Sequence, residues 1–418
     1  MTIGDLLLDA LRALWAHKTR TLLTMFGIAW GIVSITLMVA AGEGLRAGQQ
    51  KQADSLGKDL MIVFSGRTSL QAGGLRAGRA IRWADTDHVA VKAEATSCGY
   101  VLPELGNTLP VRSLYNSGNL LITGSLPGFE DLRTIPIGEG RFYNEADQDE
   151  GRRVAFIGSD VKKQLFAERD PLGAVINIAS IPYRVIGVMQ AKEQDSSYDG
   201  RDISKVFIPF SAMVRDFPNK PPALPHTIDR MLVSPKSYAE HDTCKAQLKR
   251  TLARLHDFDP NDREAAHIWD TMQDAKAFRQ MTDGMKYFLG AVGVVTLLLG
   301  GIGVMNVMLV AVRERTPEIG VRKAVGATSK AILGQFFAEA MAVVLISGAC
   351  GLGFAYGVCA LVNMAPMPPF FAGLLPTWQS SLLSFVLLGT VALFAALYPA
   401  NRAASIDPID ALRHEAGN

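Results

Sequence analysis

The chain has 418 residues, of which 49% are hydrophobic, and its mean hydropathy of +0.17 is high for a water-soluble protein. Its length allows two or three structural units, and its net charge of +2, with basic and acidic residues interleaved, indicates no nucleic-acid surface. Charged residues avoid several long windows, including the whole of 340–401. Because charge-free runs of about 20 residues are typical of membrane helices, four spans are predicted at about 22–42, 287–312, 338–361 and 379–399.

The residues before the first span have a pattern of their own. Ile3, Leu7, Leu11 and Trp15 recur at helical spacing, which predicts an amphipathic helix lying in the cytoplasmic membrane interface. The span that follows is long and lacks a clear small-residue cleavage site. It is therefore interpreted as a retained membrane helix and not as a cleaved signal peptide.

Lysine and arginine residues near the spans predict the orientation of the chain. Short basic segments precede the first span, join the second to the third and follow the fourth, whereas 362–378 has no charged residue. Because positive loops stay in the cytoplasm, both termini and the 313–330 loop are predicted to be cytoplasmic. The predicted segments are a cytoplasmic interfacial helix (1–20), a first span (21–42), an extracytoplasmic core domain with helical stalks (43–286), a second span (287–312), a cytoplasmic loop (313–330), a third span (331–361), a short outer loop (362–378), a fourth span (379–401) and a cytoplasmic tail (402–418).

The 43–286 segment alternates short strand and helix patterns between two helical stalks. A strand at 153–158 leads into a helix at 160–167, and 174–189 alternates as a hairpin around Pro182. The predicted fold class is an α+β membrane protein. Four transmembrane helices carry a large α+β extracytoplasmic domain inserted between helices 1 and 2.

The sequence contains no motif for catalysis, phosphate binding or metal binding. G-x-x-x-x-G-K-[ST], H-E-x-x-H, C-x-x-C and G-x-S-x-G are all absent. His241 and Cys244 lie three residues apart on a predicted helix, but without a second ligand pair nearby ordinary packing is favoured. No catalytic residue, metal site or directly bound cofactor is predicted, and the chain is not expected to be an enzyme.

Cys98 and Cys244 both lie in the predicted extracytoplasmic domain, where a disulfide is chemically permitted. Their wide separation in sequence says little about geometry, so the pairing is left open. The other two cysteines, Cys350 and Cys359, lie in the third span.

Glycines in the spans predict close contacts between membrane helices. Gly27 and Gly31 are four residues apart in the first span, and this spacing allows helix backbones to approach each other closely. No span has a charge in its middle, so neither an aqueous pore nor an ion-coupled carrier is indicated. The other glycines assigned to such packing are Gly300, Gly303, Gly353 and Gly357.

The polar segment 313–330 separates two apolar spans and predicts a short helix. Thr316 can cap a helix start, Pro317 suits the first helical position, and Gly326 is a natural stop. A helix over about 317–325 places one apolar face opposite a mixed face. The apolar face holds Val321, Ala324 and Val325, and the residues pointing away from it are Ile319, Arg322 and Lys323.

Several segments resemble one family of membrane proteins. The segment Arg313–Thr328 resembles the signature loop of the FtsX-like permeases, especially of MacB-type exporters. Lys18–Ile28 and Tyr398–Ala404 are similar to the same family. In the extracytoplasmic domain, Val154–Gly158 and Asp170–Gly173 resemble its periplasmic core domain.

This resemblance implies a permease subunit of a type VII ABC transporter. The loop between the second and third spans would sit in a groove of a nucleotide-binding subunit, whose ATP-driven closing moves the periplasmic domain (mechanotransmission). The sequence shows no ATPase domain, so a separate cytoplasmic ABC ATPase is implied, and ATP-Mg would bind there. The resemblance also implies the inner membrane with its lipid, a second permease protomer in a homo- or heterodimer, and, for an exporter, a periplasmic membrane-fusion adaptor protein.

On this footing, residues of the loop are assigned to contact with the ATPase, with Ile319 as the apolar anchor and the charges setting the register. The assigned residues are Arg315, Glu318, Ile319, Val321, Arg322, Lys323, Val325 and Gly326. The alternative is that the positive charges only fix the membrane topology.

Export or efflux of a substrate is favoured as the function, because the extracytoplasmic domain is large and has two parts. One alternative is a LolC/LolE-like permease that releases lipoproteins. The other is an FtsX-like signalling scaffold that controls a cell-wall hydrolase.

Overall fold

The computed structural model describes residues 18–57, 59–194, 197–219 and 224–406. Most of the predicted interfacial helix (1–20) and the chain beyond 406 lie outside the described residues. The chain divides into two compact units, one formed by Met1–Gly48 with Arg279–Asn418 and the other by Gln49–Phe278. The first is called the membrane unit below, and the second the inserted unit.

Most elements are joined by short connections, and two longer connecting segments run over 66–82 and 363–377. The helices are α1 (Lys18–Leu56), α2 (Asp87–Glu94), α3 (Phe129–Leu132), α4 (Glu145–Asp149), α5 (Ser159–Phe166), α6 (Phe210–Asp216), α7 (His241–His256), α8 (Thr271–Glu314), α9 (Thr316–Ala324), α10 (Ser329–Val362) and α11 (Trp378–Ala404). The strands are β1 (Met61–Ser65), β2 (Trp83–Ala84), β3 (Cys98–Arg112), β4 (Ser117–Ser125), β5 (Ile137–Gly140), β6 (Val154–Ile157), β7 (Val175–Ile178), β8 (Ile181–Met189), β9 (Lys205–Pro209), β10 (Thr227–Ile228), β11 (Arg230–Pro235) and β12 (Ala266–Asp270).

Four helices of the described chain are long and apolar enough to cross a membrane, in agreement with the four predicted spans. The spanning segments are Met25–Ala53, Thr271–Glu314, Ser329–Val362 and Ser384–Ala404. Helices α1 and α8 contain 39 and 44 residues, well beyond the roughly 20 that a bilayer requires. Both are therefore longer than a single crossing requires, and the stalks stay a prediction.

The membrane unit has an apolar core of its own, and the hydroxyl groups of Ser347 and Thr390 in its spans form local hydrogen bonds. Ser347 donates to the carbonyl of Val343, and Thr390 donates to that of Val386, one turn earlier in each helix. Such bonds let polar side chains lie in a span where water cannot reach them. The buried core includes Ile28, Ile32, Leu297, Val304, Phe336, Val344 and Leu388.

The glycines assigned to helix packing fall into two groups. A Cβ atom built on Gly27 would lie 3.9 Å from Gly300 Cα, and one built on Gly31 would lie 2.9 Å from a methyl group of Leu297, so α1 and α8 are close here. In contrast, apart from the adjacent backbone of α10 itself, no atom of the described residues lies within 4 Å of a Cβ built on Gly353 or Gly357. The expected helix contact at these two glycines is thus not met within one chain, because their side of α10 faces away from the other spans. Gly303 lies half-buried in α8.

The inserted unit is built on a ten-stranded sheet, and together with the spans it confirms the predicted α+β class. Most neighbouring strands are antiparallel, and the β4–β9 and β6–β8 pairs are parallel. The strand order is β12-β1-β11-β3-β4-β9-β6-β8-β5, and β7 pairs with β3 and β8. The short strands β2 and β10 form a separate pair.

Strand β3 joins the two halves of this sheet. Its first part pairs with β11, with Leu102 opposite Leu232, and its second part pairs with β4, with Leu105 opposite Gly124. The change of partner falls between Glu104 and Leu105. The two halves of the sheet therefore share this one strand.

A disulfide connects Cys98, at the start of β3, to Cys244 in α7, which decides the pairing that the sequence left open. Both cysteines are buried in the apolar core of the inserted unit. The bond closes a chain segment of 146 positions and fixes α7 against the sheet. His241 accordingly has no metal-ligand partner in Cys244 and instead contacts the carboxylate of Asp270 at 3.0 Å.

Candidate functional site

The short helix α9 follows α8 almost without a break. Pro317 lies in its first turn, as predicted, and Gly326 has a positive φ of 102° just after its end. Thr316 does not cap the helix, because its hydroxyl donates back to the carbonyl of Val312 at 3.0 Å. The helix start is therefore set by the proline, and its stop by a left-handed backbone that glycine adopts without strain.

The side of α9 that faces the protein is not the side expected from the sequence. Ile319 has 2% of its surface exposed and belongs to the apolar core that includes Ile332 and Phe336. It therefore cannot be an apolar anchor for another protein, and that assignment is corrected. Val321 and Val325 are 50% and 85% exposed and form the outward apolar surface instead.

The physical reason lies in the neighbouring helices. Both sides of α9 carry apolar residues, so its own sequence does not decide which side is buried. The start of α10 supplies the apolar Ile332 and Phe336 to the core that Ile319 joins. Gly320, next to Ile319, is also buried. Helical periodicity grouped the valines correctly but left open which group would face the protein.

Two polar contacts connect α9 to α10. Arg315, at the start of α9, donates to the carboxylate of Glu339 at 3.3 and 3.4 Å. Arg322 donates to Gln335 Oε1 at 2.7 Å, and Gln335 in turn donates to Glu339 at 3.4 Å. The carboxylate of Glu339 is largely buried, so its pairing with a cation stabilises a charge that would otherwise be costly at this depth.

A third contact connects α9 to the end of α11. Lys323 Nζ donates to the carbonyls of Ala404 at 2.5 Å and Ile406 at 2.9 Å. The last carbonyls of a helix lack intrahelical donors and carry partial negative charge, so a lysine there satisfies and stabilises them. Lys323 is thus occupied within the chain and does not belong to the outward surface.

The outward surface of α9 is consequently smaller than the predicted contact set. It consists of exposed Glu318, Val321, Arg322 and Val325, with exposed Gly326 at its end. Arg315 and Lys323 are half-buried and engaged, and Ile319 is in the core. Sequence reasoning gave Glu339 and Gln335 no role at this site, although an ionisable residue just before a charge-free span was a usable signal for Glu339. The surface holds no nucleophile or paired acid and base, and its chemistry is that of a docking site.

The inserted unit contains a second notable site, a buried charge cluster at the point where β3 changes partner. Arg133 Nη2 donates to the carboxylate of Asp202 at 2.8 and 3.0 Å, and both side chains are fully buried. The Tyr198 hydroxyl donates to Glu104 Oε2 at 2.5 Å. Burial away from water, followed by the nearby Asp199 carboxylate, raises the pKa of Glu104 to about 7.

Cations surround the Tyr198 ring in this cluster. The guanidinium groups of Arg133 and Arg230 lie 4.8 and 4.7 Å from the ring centre, and Lys205 Nζ lies 5.5 Å from it. Each is within the range at which an aromatic face attracts a cation. Among the described residues, no group of three or more histidine, cysteine, aspartate or glutamate side chains is placed to hold a metal ion. The cluster therefore joins strands and loops by paired charges.

Two family models together match most of the chain. The MacB-like periplasmic core domain matches residues 21–251, and the FtsX-like permease C-terminal domain matches residues 290–408. The first match covers the first span and most of the inserted unit. The second covers the remaining spans and includes α9.

Curated relatives are similar along nearly the whole chain. It is 32% identical over 97% of its length to the pyoverdine export ATP-binding/permease protein PvdT of Pseudomonas entomophila, covering 59% of that protein. It is 30% identical over 97% of its length to the macrolide export ATP-binding/permease protein MacB of Bdellovibrio bacteriovorus, covering 61% of it. The chain thus spans about three fifths of these two relatives. It is also 30% identical to the uncharacterized ABC transporter permease YknZ of Bacillus subtilis and covers 98% of that protein.

Solved structures of two related domains also resemble the chain. One is the periplasmic region of MacB from Actinobacillus actinomycetemcomitans, with 19% identity and a TM-score of 0.42, over 54% of this chain and 95% of that one. The other is the extracellular domain of YknZ, with 17% identity and a TM-score of 0.41, over 50% of this chain and 100% of that one.

Proposed function

We propose a transmission role for this chain, which belongs to the MacB-like and FtsX-like family of ABC permeases and is a multi-pass protein of the inner membrane. Members of this family work with an ABC ATPase and dimerise. In the proposed role, helix α9 docks on a separate cytoplasmic ATPase subunit. Motion driven by ATP then passes through the spans to the inserted unit in the periplasm, which acts on the exported substrate.

The observation that carries this proposal is the outward surface of α9. Val321 and Val325 are 50% and 85% exposed on α9. The helix itself is bonded to α10 through Arg315 and to the end of α11 through Lys323. Glu318 and Arg322 are exposed beside them and supply opposite charges. An apolar centre with charged neighbours is the composition expected of a small interface, where the apolar residues give affinity and the charges set orientation.

We propose that the ATPase is a separate subunit; these 418 residues themselves carry no phosphate loop. ATP-Mg would bind in that partner, and the chain itself would have no enzymatic activity. The relative of matching length, YknZ, is named as a permease, whereas the longer relatives PvdT and MacB are named as ATP-binding/permease proteins. In this arrangement both termini and α9 lie in the cytoplasm.

Export is proposed as the direction of transport. PvdT and MacB are named for the export of pyoverdine and of macrolides, which supports export over lipoprotein release or cell-wall signalling. The proposed partners are a second permease protomer, identical or different, and a periplasmic membrane-fusion adaptor. Membrane lipid surrounds the four spans.

The test is co-purification of the ATPase subunit with a double variant, Val321→Asp with Val325→Asp. Each aspartate would place a carboxylate in the apolar centre of the interface, so we expect association to fall by at least about tenfold. Val89→Asp is the matched control, because Val89 is 59% exposed on α2 of the inserted unit. Undiminished association of the double variant would contradict the proposed docking surface.

A further inference from the structure

The loop between α10 and α11 returns to α1 and forms hydrogen bonds with the backbone of that helix. The amide of Ala372 donates to the carbonyl of Gly44 at 3.0 Å, and the amide of Leu375 donates to that of Ala40 at 3.1 Å. Ala40 and Gly44 are one helical turn apart, so their carbonyls lie on the same side of α1. A carbonyl has two lone pairs and can accept this bond in addition to one within the helix.

Two glycines of α1 make this approach possible. A Cβ atom on Gly44 would lie 1.7 Å from the carbonyl oxygen of Gly373, and one on Gly48 would lie 2.3 Å from that of Phe370. Both distances are far shorter than any real contact of a Cβ atom, and the obstructing atoms belong to the backbone. A side chain at either position would therefore push the loop off the helix.

The same loop is fixed to the end of α10. Asn363 directly follows α10, and its side chain accepts a bond from the Leu374 amide at 2.7 Å and donates to the Leu374 carbonyl at 2.9 Å. This pair of bonds closes residues 363–374 into a compact turn. Because the turn begins at the end of α10, it moves with that helix.

At the same level, α1 is also held by α8. Lys286 Nζ lies 2.6 Å from the carboxylate of Glu43, and a Cβ atom on Gly42 would lie 3.0 Å from the Lys286 side chain. Helix α1 is thus contacted by both the 363–375 loop and α8 near the end of its part in the membrane unit. Beyond Gly48 the same helix continues to Leu56 in the inserted unit.

These contacts complete a connection along the membrane unit. Arg315 and Arg322 join α9 to the first turns of α10 through Glu339 and Gln335. Helix α10 has 34 residues and is about 50 Å long, with Asn363 at its far end. A stiff helix that is bonded at both ends can pass a displacement from one end to the other.

We propose that residues 363–375 are a clamp that transfers movement of α10 to α1, with Asn363, Gly44 and Gly48 as positioning residues. That an ATPase drives the movement of α10 depends on the function proposed above. The existence of the clamp is inferred only from the contacts within the membrane unit. Spatial continuity alone does not demonstrate coupling, so the proposal is tested by breaking the clamp.

The first measurement uses the full chain in lipid nanodiscs without any ATPase. Gly44→Ala should raise the hydrogen-exchange rates of the Ala372 and Leu375 amides at least about tenfold, because both lose their acceptors. Gly389→Ala is the matched control in α11, where no described atom lies within 4 Å of the added carbon, and it should leave these rates unchanged. Unchanged rates in Gly44→Ala would overturn the clamp.

The second measurement adds the ATPase subunit and compares hydrogen exchange of residues 49–278 with and without ATP. Gly44→Ala should still bind the ATPase and hydrolyse ATP, but the ATP-dependent change in exchange should fall at least fivefold. A general loss of folding would instead lower ATPase binding too, and Asn363→Ala, which adds no bulk, then replaces Gly44→Ala. A full response in a variant whose loop amides exchange freely would overturn the transfer role.

The two proposals fail in different ways. If the unaltered chain recruits no ATPase, the proposed function is wrong, and the first measurement alone decides whether the clamp exists. If the unaltered chain recruits the ATPase and responds to ATP while the clamp variants respond equally, only the further inference is wrong.

Discussion

Glu104 is expected to make the inserted unit less stable as the pH rises from about 5 to 7.5. Its side chain is fully buried in β3, and Asp199, Arg230 and Lys205 are its charged neighbours. The Tyr198 hydroxyl donates to one carboxylate oxygen, and Arg230 Nε lies 3.8 Å from the other. Burial, reinforced by the negative charge of Asp199, outweighs these cations and raises the pKa of Glu104 from 4.5 to about 7.

The direction of the effect follows from proton binding in the two states. Between pH 4.5 and 7 the folded protein keeps the Glu104 proton while the unfolded chain releases it. The stabilisation is therefore complete below pH 4.5 and is lost as the pH rises through 7. With 1.36 kcal/mol for each pKa unit, the loss amounts to about 3 kcal/mol. Asp202 acts in the opposite direction, because Arg133 and Lys205 hold its pKa below the usual value despite its burial.

The assay is hydrogen exchange of the β3 and β11 amides in the full chain, measured from pH 5 to 7.5 and corrected for the intrinsic exchange rate. The free energy of opening should fall by about 2.5 kcal/mol across this range in the unaltered chain, slightly less than the full loss because Glu104 of the unfolded chain is still partly protonated at pH 5. In Glu104→Gln it should stay nearly constant, because an amide does not titrate and can still accept the Tyr198 hydroxyl. The exposed Glu168 provides the control Glu168→Gln. Glu168→Gln should keep the pH slope of the unaltered chain. An equal pH slope in the unaltered chain and in Glu104→Gln would refute the assignment to Glu104.

Two further variants test the packing of each unit. Ile319→Asp should destabilise the membrane unit by about 3 kcal/mol or more, because it places a carboxylate in an apolar core, and a thermal melt in detergent measures this. A melting temperature equal to that of the unaltered chain would contradict the burial of Ile319. Replacing Cys98 and Cys244 with serine should lower the stability of the inserted unit by about 4 kcal/mol, because the disulfide closes a long loop. A urea titration followed by hydrogen exchange gives this value, and an unchanged midpoint would show that the bond does not stabilise the folded state.

The spans could be predicted from the sequence because each one is specified by local composition. A charge-free run of 20 residues has few other stable environments than a membrane, whatever its partners are. Helix α1 runs on to Leu56 and α8 begins at Thr271, within the segment for which stalks are predicted. The start of α9 at Thr316-Pro317 and its stop before Gly326 are local signals of the same kind.

Strand β3 could not be predicted because its composition is unusual for a strand. Pro103 and Pro110 lack amide donors, and Gly99 and Gly106 have no side chain to pack, so strand propensity is low throughout. Its neighbours on both sides overcome this, since Pro103 pairs with Met231 of β11 and Pro110 lies opposite β4. The strand exists because of partners that are distant in sequence.

The face of α9 and the charge cluster share this limitation. Glu104 meets Tyr198 and Arg230 only after the sheet has formed, and nothing near position 104 in the sequence indicates a buried carboxylate. Likewise, Ile319 and Val321 are equally apolar, and the choice between them depends on where α10 and α11 pack. Periodicity supplies the grouping of residues on a helix, whereas tertiary contacts decide which group faces the protein.

The proposed transmission role requires α9 to be held more strongly by the rest of the chain than by its docking partner. Burying the exposed parts of Val321 and Val325 would contribute about 2 kcal/mol. Helix α9 is held to the rest of the chain by the Arg315–Glu339 and Lys323–Ala404 contacts, by the bond from the exposed Arg322 to Gln335, and by the buried Ile319. Three polar contacts at about 1 kcal/mol each and one buried isoleucine at about 2 kcal/mol exceed the outward term. In the proposed role, α9 would therefore separate from its partner before it separated from α10 and the end of α11.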